Sequence, residues 1–331
     1  MGTSITKGWY YDSSAGLHQY GVYNASGTIV PVFDENGSLY NAGASLGSTY
    51  YKTYYVDSNG GLDTNDGLSW ATAYKKLTVA LAASHASIAA ASTGYAARNR
   101  IFFKGDQTKT TEGENLTALA QKTDIIGVGS TDWKAKPQLI GNHTVAATIS
   151  YMGCRFINVM FKGPTATGGD IFTITGQHGI AFIGCEFMGD STTAATAAII
   201  MTAGVNLQVI NCVFKGAFTD AVIEIGAGQA DDLVIVGNLI QGANMGVDIS
   251  GSATFAAGKY GLIQDNVMST TVACINDAEA KSYVIGNRLI TAADKGSDMA
   301  GCIVCNIALA QDNRCSTGNA NNVEYPALGA I

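Results

Sequence analysis

The sequence predicts an all-β fold, a single-stranded parallel β-helix, from three observations. Short apolar runs with one internal plan recur from Met152 to about Gly318, at spacings of 26, 27, 26, 28, 21 and 26 residues. The runs are rich in β-branched residues, and Gly or Asn separates them, as in strands joined by tight turns. No stretch within the repeat is long and periodic enough to supply one helix per unit. Stacked coils of two or three strands each satisfy these observations.

Each copy of the repeat has two short apolar runs around one small or polar position. A further strand lies between copies, for example at residues 171–174 and 221–225. We expect the small or polar position at a tight turn, where Asn and Gly tolerate a left-handed backbone and stacked Asn side chains hydrogen-bond along the stack. The aligned positions are Val159, Cys185, Cys212, Asn238, Asn266, Asn287 and Asn313.

The cysteines fall into the same register. Cys185 and Cys212 occupy equivalent positions one coil apart, and Cys274 and Cys302 are separated by a similar length of chain. This pattern indicates small buried thiols packed in stacks, with a disulfide between coils as the alternative. Cys302 and Cys305 have no second Cys pair or His to complete a zinc site, and the four His residues are scattered.

Composition limits the possible partners and locations. Charged residues make up 14% of the 331 residues and the net charge is −7, which argues against a nucleic-acid partner. No apolar run approaches the length of a transmembrane helix, so no membrane partner is expected. The first residues lack the apolar region of a signal peptide, which predicts a soluble chain synthesised in a cytoplasm.

Residues 1–50 differ from the rest in being rich in Tyr, Gly and Asn. Asn-Gly and Ser-Gly pairs separate short alternating runs, which predicts small hairpins. Such a segment is too short for a core of its own. We expect it to dock on a partner chain or another protein, and the alternative is an arm that wraps its own domain.

The stretch that follows resembles a known family. Tyr54-Tyr55-Val56-Asp57 is followed by a Gly/Asp/Asn loop, by Gly67-Leu68-Ser69-Trp70, and by Lys75-Lys76-Leu77 at the start of an amphipathic helix. This order looks like the entry to the pectate-lyase-like right-handed β-helices, whose helix caps the N-terminal end of the solenoid. The resemblance covers residues 52–318 and implies a helix at about residues 71–90, with first coil strands at 99–105, 124–129 and 137–141. The predicted division is an attachment segment at 1–50, an entry strand, loop and capping helix at 51–98, and the β-helix with its tail at 99–331.

The entry loop also carries oxygen ligands at a spacing that calcium sites use. They belong to Asp57, Asn59, Asp63 and Asp66. Calcium is therefore the one cofactor that the sequence suggests. The alternative is a loop of Asx turns that N-caps the helix.

Enzymes of this fold need a specific set of charged residues on central coils. A lyase uses an Arg or Lys base with acidic partners, and a glycosidase uses paired carboxylates. The charges between residues 152 and 250 look scattered along the sequence. The best constellation lies later, where Asp265, Arg288, Asp312 and Arg314 flank the Asn positions of adjacent coils. It predicts either an Arg base with Asp partners or a ladder of ion pairs.

Two functional classes follow from these features. The lack of a signal peptide, the turn-rich aromatic N-terminus and the weakly charged solenoid resemble bacteriophage virion proteins with this fold, such as tailspikes, head fibres and capsid decoration proteins. We then expect residues 1–50 to bind other virion proteins, the β-helix to project as a homotrimer, and host glycans to be a further potential ligand. The alternative is a polysaccharide lyase or glycoside hydrolase.

Overall fold

The computed structural model places the chain in two compact units, Met1–Tyr51 and Lys52–Ile331. Each unit is described by itself. The structure describes residues 7–12, 17–23, 29–33, 40–41, 44–45, 51–91, 97–105, 115–129, 136–146, 153–163, 168–176, 178–189, 194–249, 253–279, 281–291, 302–304, 309–317 and 323–324.

The first unit contains short antiparallel strands. β1 (Lys7–Asp12), β2 (Leu17–Tyr23) and β3 (Ile29–Phe33) form a sheet in that order. β4 (Tyr40–Asn41) pairs with β5 (Ala44–Ser45). Neighbouring strands pair antiparallel, and Ser26-Gly27 lies between the paired strands β2 and β3, as predicted for a hairpin. Asn36-Gly37 lies between β3 and β4, which belong to different sheets.

The second unit is a parallel β-solenoid, as the repeat predicts. Its first sheet has ten strands, each paired in parallel with the equivalent strand of the next coil. In chain order they are β6 (Thr53–Asp57), β7 (Asn99–Lys104), β8 (Thr123–Gly127), β11 (Arg155–Ile157), β14 (Ala181–Ile183), β17 (Gln208–Ile210), β21 (Val234–Val236), β24 (Gly261–Gln264), β26 (Ser282–Ile285) and β29 (Leu309–Gln311).

Two further sheets complete each coil. Two long strands belong to both, because their first parts lie in the second sheet and their second parts lie in the third. The second sheet contains β9 (Gln138–Ile140), β12 (Met160–Lys162), β15 (Glu186–Met188), β18 (Val213–Lys215), the first parts of β22 (Leu239–Ile249) and β25 (Val267–Asp277), β27 (Arg288–Thr291) and β30 (Arg314–Thr317). The third contains β10 (His143–Ala146), β13 (Phe172–Thr175), β16 (Ile199–Ala203), β19 (Phe218–Ile225), the second parts of β22 and β25, and β28 (Ile303–Val304). Outside them, β20 (Gly228–Gln229) pairs with β23 (Ala253–Thr254), and β31 (Val323–Glu324) pairs with β30.

The aligned Asn residues form the predicted ladder between the first and second sheets. The backbone N–H and the Nδ2 of Asn266 both donate to Oδ1 of Asn287 at 2.9 Å. Asn238 donates in the same way to Asn266, and Asn287 to Asn313. Each Nδ2 also donates to a carbonyl of the preceding coil, for example from Asn266 to Ile235 at 2.9 Å. The four Asn side chains are buried, so the ladder satisfies polar groups that water cannot reach.

The left-handed residue of this turn lies one position earlier than we expected. Its φ is between 52° and 69°, whereas the ladder residue that follows points its side chain inward. The two positions are easily confused in the sequence because Asn suits both, the first for its left-handed backbone and the second for its buried hydrogen bonds. The left-handed positions are Asn158, Gly184, Asn211, Gly237, Asp265, Gly286 and Asp312.

The stacked cysteines are free and buried, as predicted. Cys185 Sγ donates to the carbonyl of Phe156 at 3.3 Å, and Cys212 Sγ donates to that of Phe182 at 3.3 Å. These thiols stand where the Nδ2 groups stand in later coils, and the backbone N–H of Cys212 donates to Oδ1 of Asn238. Cys305 lies outside the described residues.

Aromatic rings fill the central coils. Phe161, Phe187 and Phe214 lie in successive strands of the second sheet, and neighbouring ring centroids are 4.9 Å apart with nearly parallel planes. Phe156 and Phe182 stack in the first sheet at 5.4 Å. All five side chains are fully buried.

Helix α1 (Leu77–Ala90) packs beside β6 and β7, at the first end of the ten-stranded sheet. Leu77, Leu81 and Ile88 are buried on its inner face, and Asn99 Nδ2 donates to the carbonyl of Ser84 at 3.1 Å. The helix begins six residues later than residue 71, where we predicted it. Tyr74 instead exchanges backbone hydrogen bonds with the entry strand, through Tyr55 O and Asp57 N at 2.9 Å. A backbone that bonds to a strand in this way cannot also begin a helix.

Candidate functional site

The outer surface of the third sheet carries a row of polar side chains across adjacent coils. Register places Ile200 beside Glu224, Glu224 beside Asp248, and Asp248 beside Asn276. Adjacent parallel strands are about 4.8 Å apart, so the two carboxylates leave the sheet at about that spacing. Glu224 and Asp248 therefore form a carboxylate pair on the outside of the solenoid.

Two more carboxylates lie near the beginning of strands in the same sheet. The Asp220 N–H donates to Thr196 O at 3.0 Å, and the Thr196 N–H donates to Gly169 O at 3.1 Å. These bonds place Asp170 and Asp220 two coils apart along one line. We call Asp170, Asp220, Glu224 and Asp248 the acidic cluster.

The pKa values of Glu224, Asp248 and Asp170 are all raised above their ordinary values. Partial burial raises the pKa of Glu224 above its ordinary value, and the charges of Asp220, Asp248 and Asp170 raise it further. Burial and Asp220 also raise the pKa of Asp248, while Asn276, whose Nδ2 donates to its Oδ1 at 2.6 Å, acts in the opposite direction. Burial likewise raises the pKa of Asp170, against a hydrogen bond from Thr173. Glu224, Asp248 and Asp170 therefore hold protons more tightly than isolated carboxyl groups do.

No cation of the described chain balances this cluster. None of the ion pairs between described residues includes one of its four carboxylates. Over the same residues, no group of three or more His, Cys, Asp or Glu side chains is arranged to hold a metal ion. The chemistry that the arrangement supports is proton donation by one carboxyl group beside a second carboxylate.

Sequence reasoning missed the acidic cluster because its residues look scattered along the chain. The available signal was the coil period, since Glu224, Asp248 and Asn276 follow one another at intervals close to one coil. The repeat is defined by its small or polar turn position, which does not indicate the outward positions of the third sheet.

The four residues predicted as a catalytic or ion-pair set lie elsewhere, at the turn between the first and second sheets and just after it. Arg288 and Arg314 are register partners on adjacent strands, and both side chains are exposed. Asp265 and Asp312 occupy left-handed turn positions and are also exposed. In the described part of the chain, no ion pair joins Arg288 to Asp265, and Asp265 Oδ2 accepts a hydrogen bond from Gln264 at 3.0 Å. The structure brings the two arginines together but gives them no enclosed site.

The oxygen ligands of the entry loop are used within the loop. Asp57 Oδ1 accepts the N–H groups of Asn59 and Gly60 at 3.0 and 3.2 Å, and Asp57 Oδ2 lies 3.2 Å from Lys104 Nζ. Burial acts to raise the pKa of Asp57, but these N–H groups and Lys104 lower it overall. Asp63 accepts the N–H of Lys76 and Asp66 that of Leu68. The Asx turns of the alternative interpretation are present at Asp57 and Asp66. The expected N-cap is not, because the helix begins after Lys76 without a side-chain cap hydrogen bond. Calcium binding stays a prediction.

One buried ion-pair cluster was not predicted. Asp124 is fully buried in the first sheet, where Arg155 binds both carboxylate oxygens at 2.7 and 2.5 Å and Arg98 lies 2.5 Å from Oδ1. Removing one partner from such a buried set is strongly destabilising. The cluster joins adjacent coils and has a structural role.

Within the described ranges, no helix is both long and apolar enough to cross a bilayer. Comparison with known proteins gives no match to a family model, to a curated protein sequence or to a solved structure.

Proposed function

We propose that this chain is a structural protein of a bacteriophage virion, a capsid decoration protein, head fibre or tailspike-like component of the pectate-lyase-like kind. The observation that carries the proposal is the continuous in-register stack of the second unit, next in sequence to a separate unit of short antiparallel strands. Such a pair fits a projecting rod and its attachment segment.

The stacked coils of the second unit support the proposal that it forms a rod. Ten strands of the first sheet rise by about 4.8 Å each, which gives a length of roughly 43 Å before the ends are counted. Buried Asn hydrogen bonds and stacked Phe rings connect successive coils. Each coil is held by its neighbours on both sides, which makes a solenoid stiff along its axis.

The first unit supports attachment. A sheet of three short strands with one further strand pair is too small to bury a stable core unaided. It gains stability by packing on a partner, and other virion proteins are the partners proposed here.

Deletion of residues 1–51 tests the attachment. The truncated chain is expected to keep the circular dichroism and melting transition of the solenoid while losing incorporation into particles, measured by mass spectrometry of purified virions. The matched control is the full chain carrying Glu224→Gln, which should be incorporated normally. Normal incorporation of the truncated chain would refute attachment through this unit, and absence of the full chain from particles would refute the virion role.

The acidic cluster favours a second candidate, a glycoside hydrolase or polysaccharide lyase of the same fold. Retaining glycosidases place two carboxyl groups about 5–5.5 Å apart, with the pKa of the acid raised. Glu224 and Asp248 are register partners on strands about 4.8 Å apart, and the pKa of Glu224 is raised, which supports this candidate. In this role Glu224 donates the proton and Asp248 attacks the sugar. A host surface glycan is the corresponding substrate or ligand.

Cleavage assays distinguish the two candidates. If the second candidate holds, the purified chain releases reducing ends from host polysaccharide, and Glu224→Gln and Asp248→Asn each lower the rate by at least about a hundredfold. Arg288→Ala is the control for the other charged set, because it lowers the rate only if that set is catalytic. No cleavage by the wild-type chain leaves the structural role as the better explanation.

A further inference from the structure

A cavity of about 380 Å³ lies between helix α1 and residues 117–119. The helix contributes Thr78, Leu81, Ala82 and His85 to its lining. These positions are spaced by three and four residues, so they lie on one face of the helix. Neither the acidic cluster nor the first unit includes any of them, and the proposed function leaves this face of the helix without a role.

The floor of the cavity belongs to the hydrophobic core. Leu81 and Leu119 are 3% and 7% exposed, and both are members of the buried core of the solenoid. Ala82, Thr117 and Ala118 line the cavity and are exposed, so they form the rim at which it opens to solvent. An apolar floor below a rim of small side chains is suited to an apolar molecule that enters from solution.

Both walls of the cavity are held by contacts that lie outside it. Ser84, on the helix, is buried, and its Oγ and Thr123 Oγ1 are joined by a hydrogen bond of 2.7 Å. Leu116, just before the second wall, is fully buried, and its N–H donates to Nδ1 of His143 at 3.1 Å. The space is therefore built into the fold, as small-molecule sites usually are.

His85 supplies the ring nitrogens of the cavity. Its Nδ1 is shielded from water and has no hydrogen-bond partner in the described part of the chain. The χ2 angle of His is broad and roughly two-fold, so the ring can turn to present this nitrogen to the cavity. In a neutral imidazole one nitrogen donates and the other accepts, and a hydroxyl group pairs with either because it does both. The unpaired nitrogen therefore favours a ligand with a hydroxyl group.

Charge and size restrict the ligand further. The described lining residues include no Asp, Glu, Lys or Arg, so no charged side chain among them compensates a charged ligand. A volume of about 380 Å³ corresponds to roughly a dozen water molecules at the density of the liquid. This space accommodates one substituted ring and is too small for several linked sugar rings.

We propose that the cavity beside α1 binds a small neutral molecule, a single apolar ring that carries one hydroxyl group. The ring packs on Leu81 and Leu119, and the hydroxyl group pairs with the imidazole of His85. Burial of the ring provides affinity, and the hydrogen bond provides specificity. Because α1 packs at the first end of the ten-stranded sheet, a bound ligand also stabilises this end of the solenoid. The site does not require attachment to a virion.

p-Cresol and toluene test the chemistry of the site, since they differ only in the hydroxyl group. Isothermal titration calorimetry of the full chain is expected to give p-cresol a dissociation constant below about 1 mM, and toluene one at least about fivefold higher. His85→Phe keeps a ring of similar size, so it should keep the toluene affinity of the wild type and lose the preference for p-cresol. A preference that survives in this variant, or loss of toluene binding from the folded variant, would overturn the proposal.

Substitutions at the rim test the location of the site. Ala82→Trp is expected to fill the cavity and to raise the dissociation constant of p-cresol by at least about tenfold. Ala118→Trp should repeat this result from the other wall. Ala86→Trp is the matched control, because Ala86 is also exposed on α1 but is not among the described lining residues.

Circular dichroism shows whether each variant is folded, and the methyl resonances of Leu81 and Leu119 give a readout in the wild type that needs no variant. We expect these resonances to shift as p-cresol is added. Wild-type chain without saturable p-cresol binding, unshifted Leu81 and Leu119 methyl resonances, or an equal loss of affinity in Ala86→Trp would overturn the proposal. Virion incorporation is measured separately, so failure of one proposal does not imply failure of the other.

Discussion

Asn266 connects three coils through one side chain. Its Oδ1 accepts both N–H groups of Asn238, and its Nδ2 donates to Ile235 O on one side and to Asn287 Oδ1 on the other. Because the side chain is fully buried, none of these groups has water as a substitute partner. Burial alone would allow any small side chain at this position. The hydrogen bonds of the ladder make Asn the favoured residue there.

Replacement of Asn266 by Ala is expected to lower the free energy of unfolding by about 3 kcal/mol, because it leaves buried donors and an acceptor unpaired. Urea unfolding followed by circular dichroism measures this loss. Asn266→Cys should cost less, since thiols at the equivalent positions of Cys185 and Cys212 donate to the preceding coil. Equal stability of the Ala variant and the wild type would contradict the role of the ladder.

The acidic cluster gives stability a pH dependence whose sign follows from the raised pKa of Glu224. The folded chain binds this proton more tightly than the unfolded chain. That contribution is fully present below the ordinary pKa of a glutamic acid and is lost as the pH rises through the raised value.

We therefore expect Glu224→Gln to gain stability relative to the wild type as the pH rises from about 4 to about 7. Melting temperatures of both chains across this range measure the effect. Glu279→Gln is a suitable control, because Glu279 lies away from the cluster, in the turn that Asp277 holds. A constant difference between Glu224→Gln and the wild type would show that the cluster does not perturb this group.

At the scale of elements, the two-residue turn between the first and second sheets fixes the coil. One residue is left-handed and the next carries the ladder. The length of each coil is set outside this turn, by the loops in the rest of the coil, which differ in length. The coil between Asn266 and Asn287 is the shortest of those that separate ladder positions. It closes because Asp277 accepts the N–H groups of Glu279, Lys281 and Ser282 in a tight turn.

Gly184 and Gly237 occupy equivalent turn positions, and replacing each by Ala distinguishes the cost of a left-handed backbone from the cost of a steric clash. Gly184 has φ 58° with open space where a Cβ would stand, whereas a Cβ at Gly237, φ 69°, would lie 2.3 Å from Asn211 Oδ1. We expect Gly184→Ala to cost about 1–2 kcal/mol from the left-handed backbone alone, and Gly237→Ala to cost more. Chemical denaturation of both variants measures the difference, and equal costs would contradict this assignment.

The entry loop allows a test of calcium binding. Bound calcium would raise the melting temperature as calcium is added, and Asp63→Asn would remove the increase. The carboxylate of Asp57 already accepts two N–H groups and pairs with Lys104, so the calcium-free loop is expected to be held without a metal. A melting temperature that stays constant during the calcium titration removes the predicted site.

At the scale of the whole molecule, the stability of each coil of the solenoid depends on the coils that it packs against. In the sheets each strand pairs with the equivalent strands of the coils before and after it, and few side chains reach farther, so the stack approximates a one-dimensional array. Phe187 lies at the centre of this array, stacked at 4.9 Å on both Phe161 and Phe214.

Phe187→Ala is expected to cost about 3–5 kcal/mol and to separate the unfolding of the coils before it from that of the coils after it. Hydrogen exchange of amides on both sides of the substitution tests this. Ile290→Ala is the control, since Ile290 is 46% exposed and contributes little to the core. A single cooperative transition in the Phe187→Ala variant would contradict the one-dimensional description.

The sequence by itself determined the repeat, the parallel coils, the Asn ladder and the free stacked thiols, because each of these depends on residues that recur at a nearly constant spacing. These features are local requirements, which every coil has in common. They are a left-handed turn, an inward side chain that fits the ladder, and alternating apolar residues. The helix start was wrong because Tyr74 bonds to a strand that is adjacent only in the folded chain.

Only the tertiary structure brought together Asp170, Asp220, Glu224 and Asp248. The coils differ in length between ladder positions. Loop length therefore decides which outward residues lie side by side on successive coils. Contact between outward side chains depends on that vertical alignment of coils, which the spacing of the core residues leaves open.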